Sequence, residues 1–197
     1  IRNGTIQLPL KRLVADSRYL AYPNSDISID NDGHVRKFWG FYPSKLDENG
    51  GEQALTYSNL PVKTGCGKEC DGVRLPVLSM ATYSIYSDTP LMNLEFKWAA
   101  APIYINFRVP QLRVKHPGWS RKEKGEMYYS VYRHISVRDI LEDTLSPEER
   151  QALKGGMTLV GSTALGSFDH FPSPFMPLFP GVELHANVMD NVLHDDS

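Results

Sequence analysis

Residues 157–195 read MTLVGSTALGSFDHFPSPFMPLFPGVELHANVMDNVLHD, and the order of parts in this stretch decides how the chain is built. The uncharged run 157–160 ends in the small residues Gly161, Ser162 and Thr163. A continuous apolar run closed by a turn predicts a buried central strand over 157–161. A loop carrying Asp169 and His170 follows, and its end, 171–180, holds four prolines and five large apolar residues. Proline fixes φ and removes a backbone donor, so this loop is expected to be irregular and to pack on the body or on a partner. Pro180-Gly181 then opens a predicted amphipathic helix over 181–193. On it, Val188, Met189, Val192 and Leu193 share the side of His185, three, four, seven and eight residues on. Glu183, Asn187, Asp190 and Asn191 are expected to lie mostly elsewhere. Glu183 in the first turn is favoured by the helix dipole. Strand, turn, loop and helix in that order predict an α/β or α+β domain, a sheet with packed helices.

Working outward, Ser146-Pro147-Glu148-Glu149 is a helix start. Serine caps the backbone N–H three residues on, proline fits the first position, and Glu149 completes a capping box. That helix is expected to end at Gly155-Gly156, and 137–141 to be a short helix or turn. At 25–43, strand-like residues flank Asn31-Asp32-Gly33, whose chemistry predicts a tight reversal with Gly33 at positive φ. Arg36 is placed to pair with Asp30 or Asp32. Residues 75–86 carry apolar side chains at helical spacing behind Pro76, and 103–107 is a short β-rich run. Segments 1–10, 45–71 and 109–126 read as irregular or surface loops. The sequence has neither an internal repeat nor a low-complexity tract.

With 197 residues the chain is long enough for one domain with a core. A hydrophobic content of 41% and a charged content of 22% are ordinary globular usage. The net charge of −2 argues against general nucleic-acid binding, which wants a basic surplus. No stretch approaches the roughly 18 consecutive apolar residues of a membrane span. The first residue is Ile1, so the chain reads as a processed piece and the lack of a signal peptide does not fix its compartment.

The C-terminal stretch resembles the end of a CHASE2 domain, the extracytoplasmic input module of bacterial membrane receptors. That family's string is an apolar strand, then G-[ST]-[TA]-x-x-G-x-x-D, a short proline segment, and P-G-V-E-x-H-A-N opening a helix toward the membrane. Here it is carried by Gly161, Ser162, Thr163, Gly166, Asp169, Pro180, Gly181, Val182, Glu183, His185, Ala186 and Asn187. Upstream, Asp30, Asp32, Gly33 and Arg36 match D-x-D-G-x-x-R. Ile105, Asn106, Phe107 and Arg108 match I-N-[YF]-R, and Ser136, Asp139, Ile140 and Leu141 match S-x-x-D-[VI]-L. The likeness spans most of 20–195. The family's earlier half has a strand ending in I-D-x-x-[ST], a P-W-x-R helix start and a second strand. It has no counterpart here, so the chain is expected to be a single sensor domain lacking its N-terminal part.

The resemblance implies a non-catalytic sensor outside the cytoplasmic membrane. It would be tethered by flanking transmembrane helices and would regulate a cytoplasmic adenylate or guanylate cyclase, or a histidine kinase. Its stimulus would be a small molecule or a physical signal, and a homodimer is compatible with the apolar proline loop. Neither cofactor nor metal is expected. Asp30-x-Asp32-Gly33 opens like an EF-hand, but Phe41 stands where the bidentate glutamate belongs.

Loops at the C-terminal ends of strands gather ligands in α/β sheets. Ser162, Thr163, Asp169 and His170, with His185, are therefore the ligand-binding candidates, and Gly181, Glu183, Val188 and Val192 mark the signal-transmitting helix. Each has a plainer alternative. Asp169 would fix its loop by accepting backbone bonds, and His185 would be a half-buried, hydrogen-bonded core histidine rather than a pH switch. Two other functions compete. One is a secreted hydrolase using Ser162, Asp169 and His170, although no G-x-S-x-G elbow surrounds Ser162. The other is an adhesive or scaffolding domain. Cys66 and Cys70, in the exposed-looking string TGCGKECDG, are open to a small-loop disulfide, free thiols or a metal site. The basic run 113–124, with Trp119, is either a solvated loop or a contact to anionic lipid.

Overall fold

A computed structural model describes residues 17–21, 29–42, 45–46, 52–53, 55–60, 65–108, 121–123, 126–128, 131–163 and 169–196. The expected irregular opening at 1–10 and most of the basic run 113–124 lie outside these residues. Strands pair in short antiparallel ribbons: β1 (Lys37–Phe38) with β4 (Ile103–Tyr104), β2 (Lys45–Leu46) with β3 (Glu52–Gln53), β5 (Arg121–Glu123) with β6 (Glu126–Tyr128), and β7 (His170–Phe171) with β8 (Phe179–Pro180). The α-helices are α1 (Leu78–Ser87), α2 (Leu91–Trp98), α3 (Val137–Leu141), α4 (Pro147–Ala152) and α5 (Gly181–His194). Separate antiparallel ribbons with helices packed beside them make the fold α+β.

The reversal at Asn31-Asp32-Gly33 forms as its sequence predicts. Gly33 adopts φ +84°, its N–H bonds the Asp30 carbonyl at 2.8 Å, and Ile29 bridges Val35 across the turn. Arg36 bonds both Asp30 and Asp32. The reversal feeds β1, whose Phe38 lies opposite Ile103.

Phe38, Phe41, Val35, Met80, Leu91, Ile103, Leu184, Val188 and Val192 form one core. Helix α1 lies against α5 and contributes Met80 and Ala81 to the buried side. Gly40 permits a close approach, since a Cβ there would sit 3.2 Å from both the Met80 methyl and the Trp98 carbonyl. Helix α4 begins with the full reciprocal capping box between Ser146 and Glu149. In α3, Ser136 accepts from the Arg138 N–H.

Four expectations are corrected. Residues 157–160 form no strand, and Val160 is 78% exposed. A strand exists only through a ladder partner, and no described strand runs beside this segment. The α1 helix starts at Leu78 rather than at residue 75, because the preceding residues are held extended: Tyr42 N–H bonds Leu75 O at 2.8 Å and Phe41 bridges Pro76. Cys66 and Cys70 are buried, not exposed. They are joined by a disulfide across the exposed 3₁₀ turn Gly67–Cys70, and the two cysteines belong to the core cluster with Tyr57 and Val73.

The proline-rich loop is the fourth correction, since both its ends pair regularly as β7 and β8. Pro180 is tolerated there because a two-stranded ribbon leaves one edge of each strand unpaired. Between the two strands the Ser173 Oγ accepts the N–H groups of Phe175 and Met176. The loop packs on the body: Phe107 meets Phe175 and Phe179 edge to face at 5.8 and 5.6 Å.

Candidate functional site

The first turn of α5 is where the predicted rim residues gather. Gly161 lies so close to it that a Cβ would fall 2.6 Å from the Val182 Cβ, which sets Ser162 and Thr163 beside this turn. The Gly181 N–H bonds the Asp169 carbonyl at 2.9 Å. The Asp169 carboxylate lies against the Gly181 Cα, in space that any larger residue would fill. His170 continues into β7, opposite Pro180. Ser162, Thr163, Asp169 and His170 are thus brought to one end of one helix.

His185 is directed elsewhere. Its Nδ1 shares a 2.9 Å hydrogen bond with the Ser79 hydroxyl of α1, so it belongs to the α1–α5 seam. Burial pushes its imidazole down to about 4, and the ring is neutral at physiological pH. The linkage follows from that direction. An unfolded imidazole takes a proton below about pH 6.5, whereas the folded one does so only near 4. Stability is therefore fully present above about pH 6.5 and falls as pH drops through 4, by roughly 3 kcal/mol in all. Thermal melts of the wild type and His185→Gln at pH 7 and 4.5 check this. The wild type's advantage should shrink at the lower pH, and a constant difference would refute the assignment.

Sequence reasoning missed the polar stripe Glu183–Asn187–Asn191, spaced four residues apart on α5. All three are buried, at 4%, 1% and 0% exposure. Asn191 accepts the Asn106 N–H through Oδ1 and donates to the Asn106 carbonyl through Nδ2, both at 2.9 Å. Asn187 Oδ1 accepts the Arg108 N–H at 2.7 Å, and its Nδ2 donates to the Glu183 carbonyl at 2.9 Å. On the other edge of the same segment, the Ile105 N–H bonds Arg36 O at 2.8 Å. The two amides stand in for a neighbouring strand, satisfying an edge that would otherwise be left open.

Arg108 then ion-pairs with Asp190 and Asp196, near the end of α5, and these carboxylates raise its already high pKa. Lys97 of α2 reaches Asp195 at 2.6 Å. The C-terminal half of the helix is thereby fastened to 105–108. The signal that could have found this is the i, i+4, i+8 polar spacing on an otherwise apolar helix, read together with I-N-F-R at 105–108.

At the first turn, Glu183 faces His134 at 3.2 Å, with side-chain exposures of 5% and 14%. Tyr132 shares these surroundings, and burial, with Asp190 and Glu183 nearby, raises its phenol well above the ordinary range. Among the described residues no group of acidic, histidine or cysteine side chains is arranged to hold a metal, and no helix is long and apolar enough to cross a membrane.

In comparison with known families, the CHASE2 domain model matches residues 11–197. No curated protein and no solved structure matches the chain.

Proposed function

We propose a signal-sensing role, proceeding from the fact that this chain belongs to the CHASE2 domain family, a family of extracytoplasmic sensor domains. The domain is the periplasmic input of an inner-membrane receptor, and it regulates a cytoplasmic adenylate or guanylate cyclase, or a histidine kinase. Its stimulus is a small molecule or a physical signal, read without chemistry at the rim of Ser162, Thr163, Asp169 and His170. Self-association through the face bearing Phe175 and Leu178, 59% and 51% exposed, is compatible with this role.

The observation that carries the reading beyond the family match is the fastening of α5. A ligand can shift an equilibrium only by its differential affinity for two arrangements. Of the rim residues, Asp169 touches the first turn of α5 at Gly181, and α5 is bonded through Asn187, Asn191 and Asp190 to the 105–108 segment. A displacement at the rim therefore moves helix and segment together. Gly181 and Glu183 receive it, and Val188 and Val192 hold the helix on the core.

Val188→Pro in the full-length receptor tests the path. Proline inside α5 removes one helical hydrogen bond and costs about 3 kcal/mol or more. Output should lose its dependence on stimulus while the receptor stays in the membrane, whereas His194→Ala, at the exposed helix end, should respond as the wild type does. Unchanged signalling in Val188→Pro would remove α5 from the path.

A further inference from the structure

The disulfide turn has two unlike faces. Cys66 and Cys70, 5% and 2% exposed, belong to the core cluster with Tyr57 and Val73. Gly67, Lys68 and Glu69, which lie between them in sequence, are exposed. Beyond Cys70 the chain returns to the body: the Val73 N–H bonds the Cys70 carbonyl at 3.1 Å, and the Tyr57 N–H bonds the Val73 carbonyl at 2.9 Å.

Segment 17–20 rests on this turn. The Gly65 N–H bonds the Ser17 carbonyl at 2.9 Å. The two backbones are so close that a Cβ on Gly65 would stand 3.2 Å from that oxygen and 3.4 Å from the Arg18 Cα. The Arg18 guanidinium reaches Glu69 at 3.8 Å. Further along, the Tyr57 hydroxyl donates to the Leu20 carbonyl, and the Ser84 hydroxyl of α1 donates to the Tyr19 hydroxyl at 3.4 Å. The start of the segment is thus held by Gly65 and Glu69, the residues just before Cys66 and Cys70.

Two thiols cannot approach as closely as two bonded sulfurs. In a close-packed interior the room to separate them has to come from the solvent side, and here that side is the outer face of the turn. Reduction also returns conformational freedom to residues 66–70, which the bond closes into a ring. Both effects move the turn outward, and Gly65 and Glu69 move with it. Such an opening is local, because the bonds between α5 and 105–108 involve none of its residues.

We propose that the Cys66–Cys70 disulfide is a redox-operated clasp: oxidised, it holds segment 17–20 on the body, and a dithiol reductant releases it. In the opening step a thiolate of the dithiol attacks one sulfur and breaks the S–S bond, forming a mixed disulfide. The second thiol of the reductant then displaces that cysteine. Two electrons and two protons pass to Cys66 and Cys70, which become thiols, and the reductant leaves as a cyclic disulfide. Oxidising surroundings keep the clasp closed. It is a property of this chain's own packing and needs no occupant at the rim.

Amide hydrogen exchange on the 197-residue chain, with and without dithiothreitol at neutral pH, tests it, and thiol titration reports whether the bond is open. On reduction the Gly65 amide should exchange at least about tenfold faster, and cross-relaxation between the Gly65 and Arg18 α-protons should vanish. The Asn106 and Arg108 amides, held by Asn191 and Asn187, should change by less than about twofold. Equal acceleration at all three amides would make the bond a general staple and overturn the clasp. So would an unchanged Gly65 amide, or a bond that excess dithiol leaves intact in the folded chain. Cys66→Ala combined with Cys70→Ala should show the reduced pattern with or without reductant, and wild-type protection in that variant would refute the proposal. Gly65→Ala, whose methyl group crowds the Ser17 carbonyl, should free the amide at position 65 while the disulfide stays closed. Retained protection there would mean that the segment does not rest on Gly65, and the clasp would fall. Should either variant fail to fold, the wild type decides the matter alone.

Discussion

Replacing Asn191 with leucine should lower the unfolding free energy by about 2–4 kcal/mol, despite the added apolar surface. Asn191 is fully buried and closes two bonds with the backbone of Asn106. Leucine has a similar size, so the loss is not a cavity. It is the loss of the partners of one part-buried N–H and one part-buried C=O of Asn106, at about 1–3 kcal/mol each, partly offset by burial of the leucine side chain. Urea denaturation with an unchanged slope would report it. The exposed Leu193, substituted to asparagine, should shift stability by less than about 0.5 kcal/mol. A change below 0.5 kcal/mol for Asn191→Leu would mean that the amide is not serving as a surrogate strand.

Phe38→Ala should cost about 3–5 kcal/mol. Phe38 is 1% exposed and sits in the core. It also lies opposite Ile103 in the β1–β4 pair, and that pair holds the start of the segment that Asn187 and Asn191 clasp. The loss should therefore be felt at α5 as well. Amide exchange should rise in Asn106 and Arg108 along with the core, and a purely local cavity would leave those two amides protected.

The parts of this fold that follow from local chemistry were legible in sequence. The Asn31-Asp32-Gly33 turn needs only residues that accept its backbone angles, and the Ser146–Glu149 capping box needs only its own four residues. The α5 helix announces itself through Pro180-Gly181 and its apolar spacing. What depends on distant partners was not legible. Residues 157–160 have a strand's composition but no ladder beside them among the described residues. Cys66 and Cys70 sit among exposed glycines and charges, yet both cysteine side chains are buried in the core cluster with Tyr57 and Val73.

At the candidate site the same division holds. The motif residues Asp169 and Gly181 do meet. His185, although in the same motif, faces α1, because a helix shows different sides to different neighbours. Asn187 and Asn191 look like surface residues until the edge of 105–108 is placed against them. His134 is separated from Glu183 by a stretch whose course no local rule predicts.

The central claim is that this domain receives its signal outside the cytoplasmic membrane. Protease added to intact spheroplasts that carry the full-length receptor tests it most directly, with an antibody against this domain as the readout. The account predicts that the domain is digested while a cytoplasmic marker protein stays whole. A domain that remains intact until the membrane is lysed would contradict it.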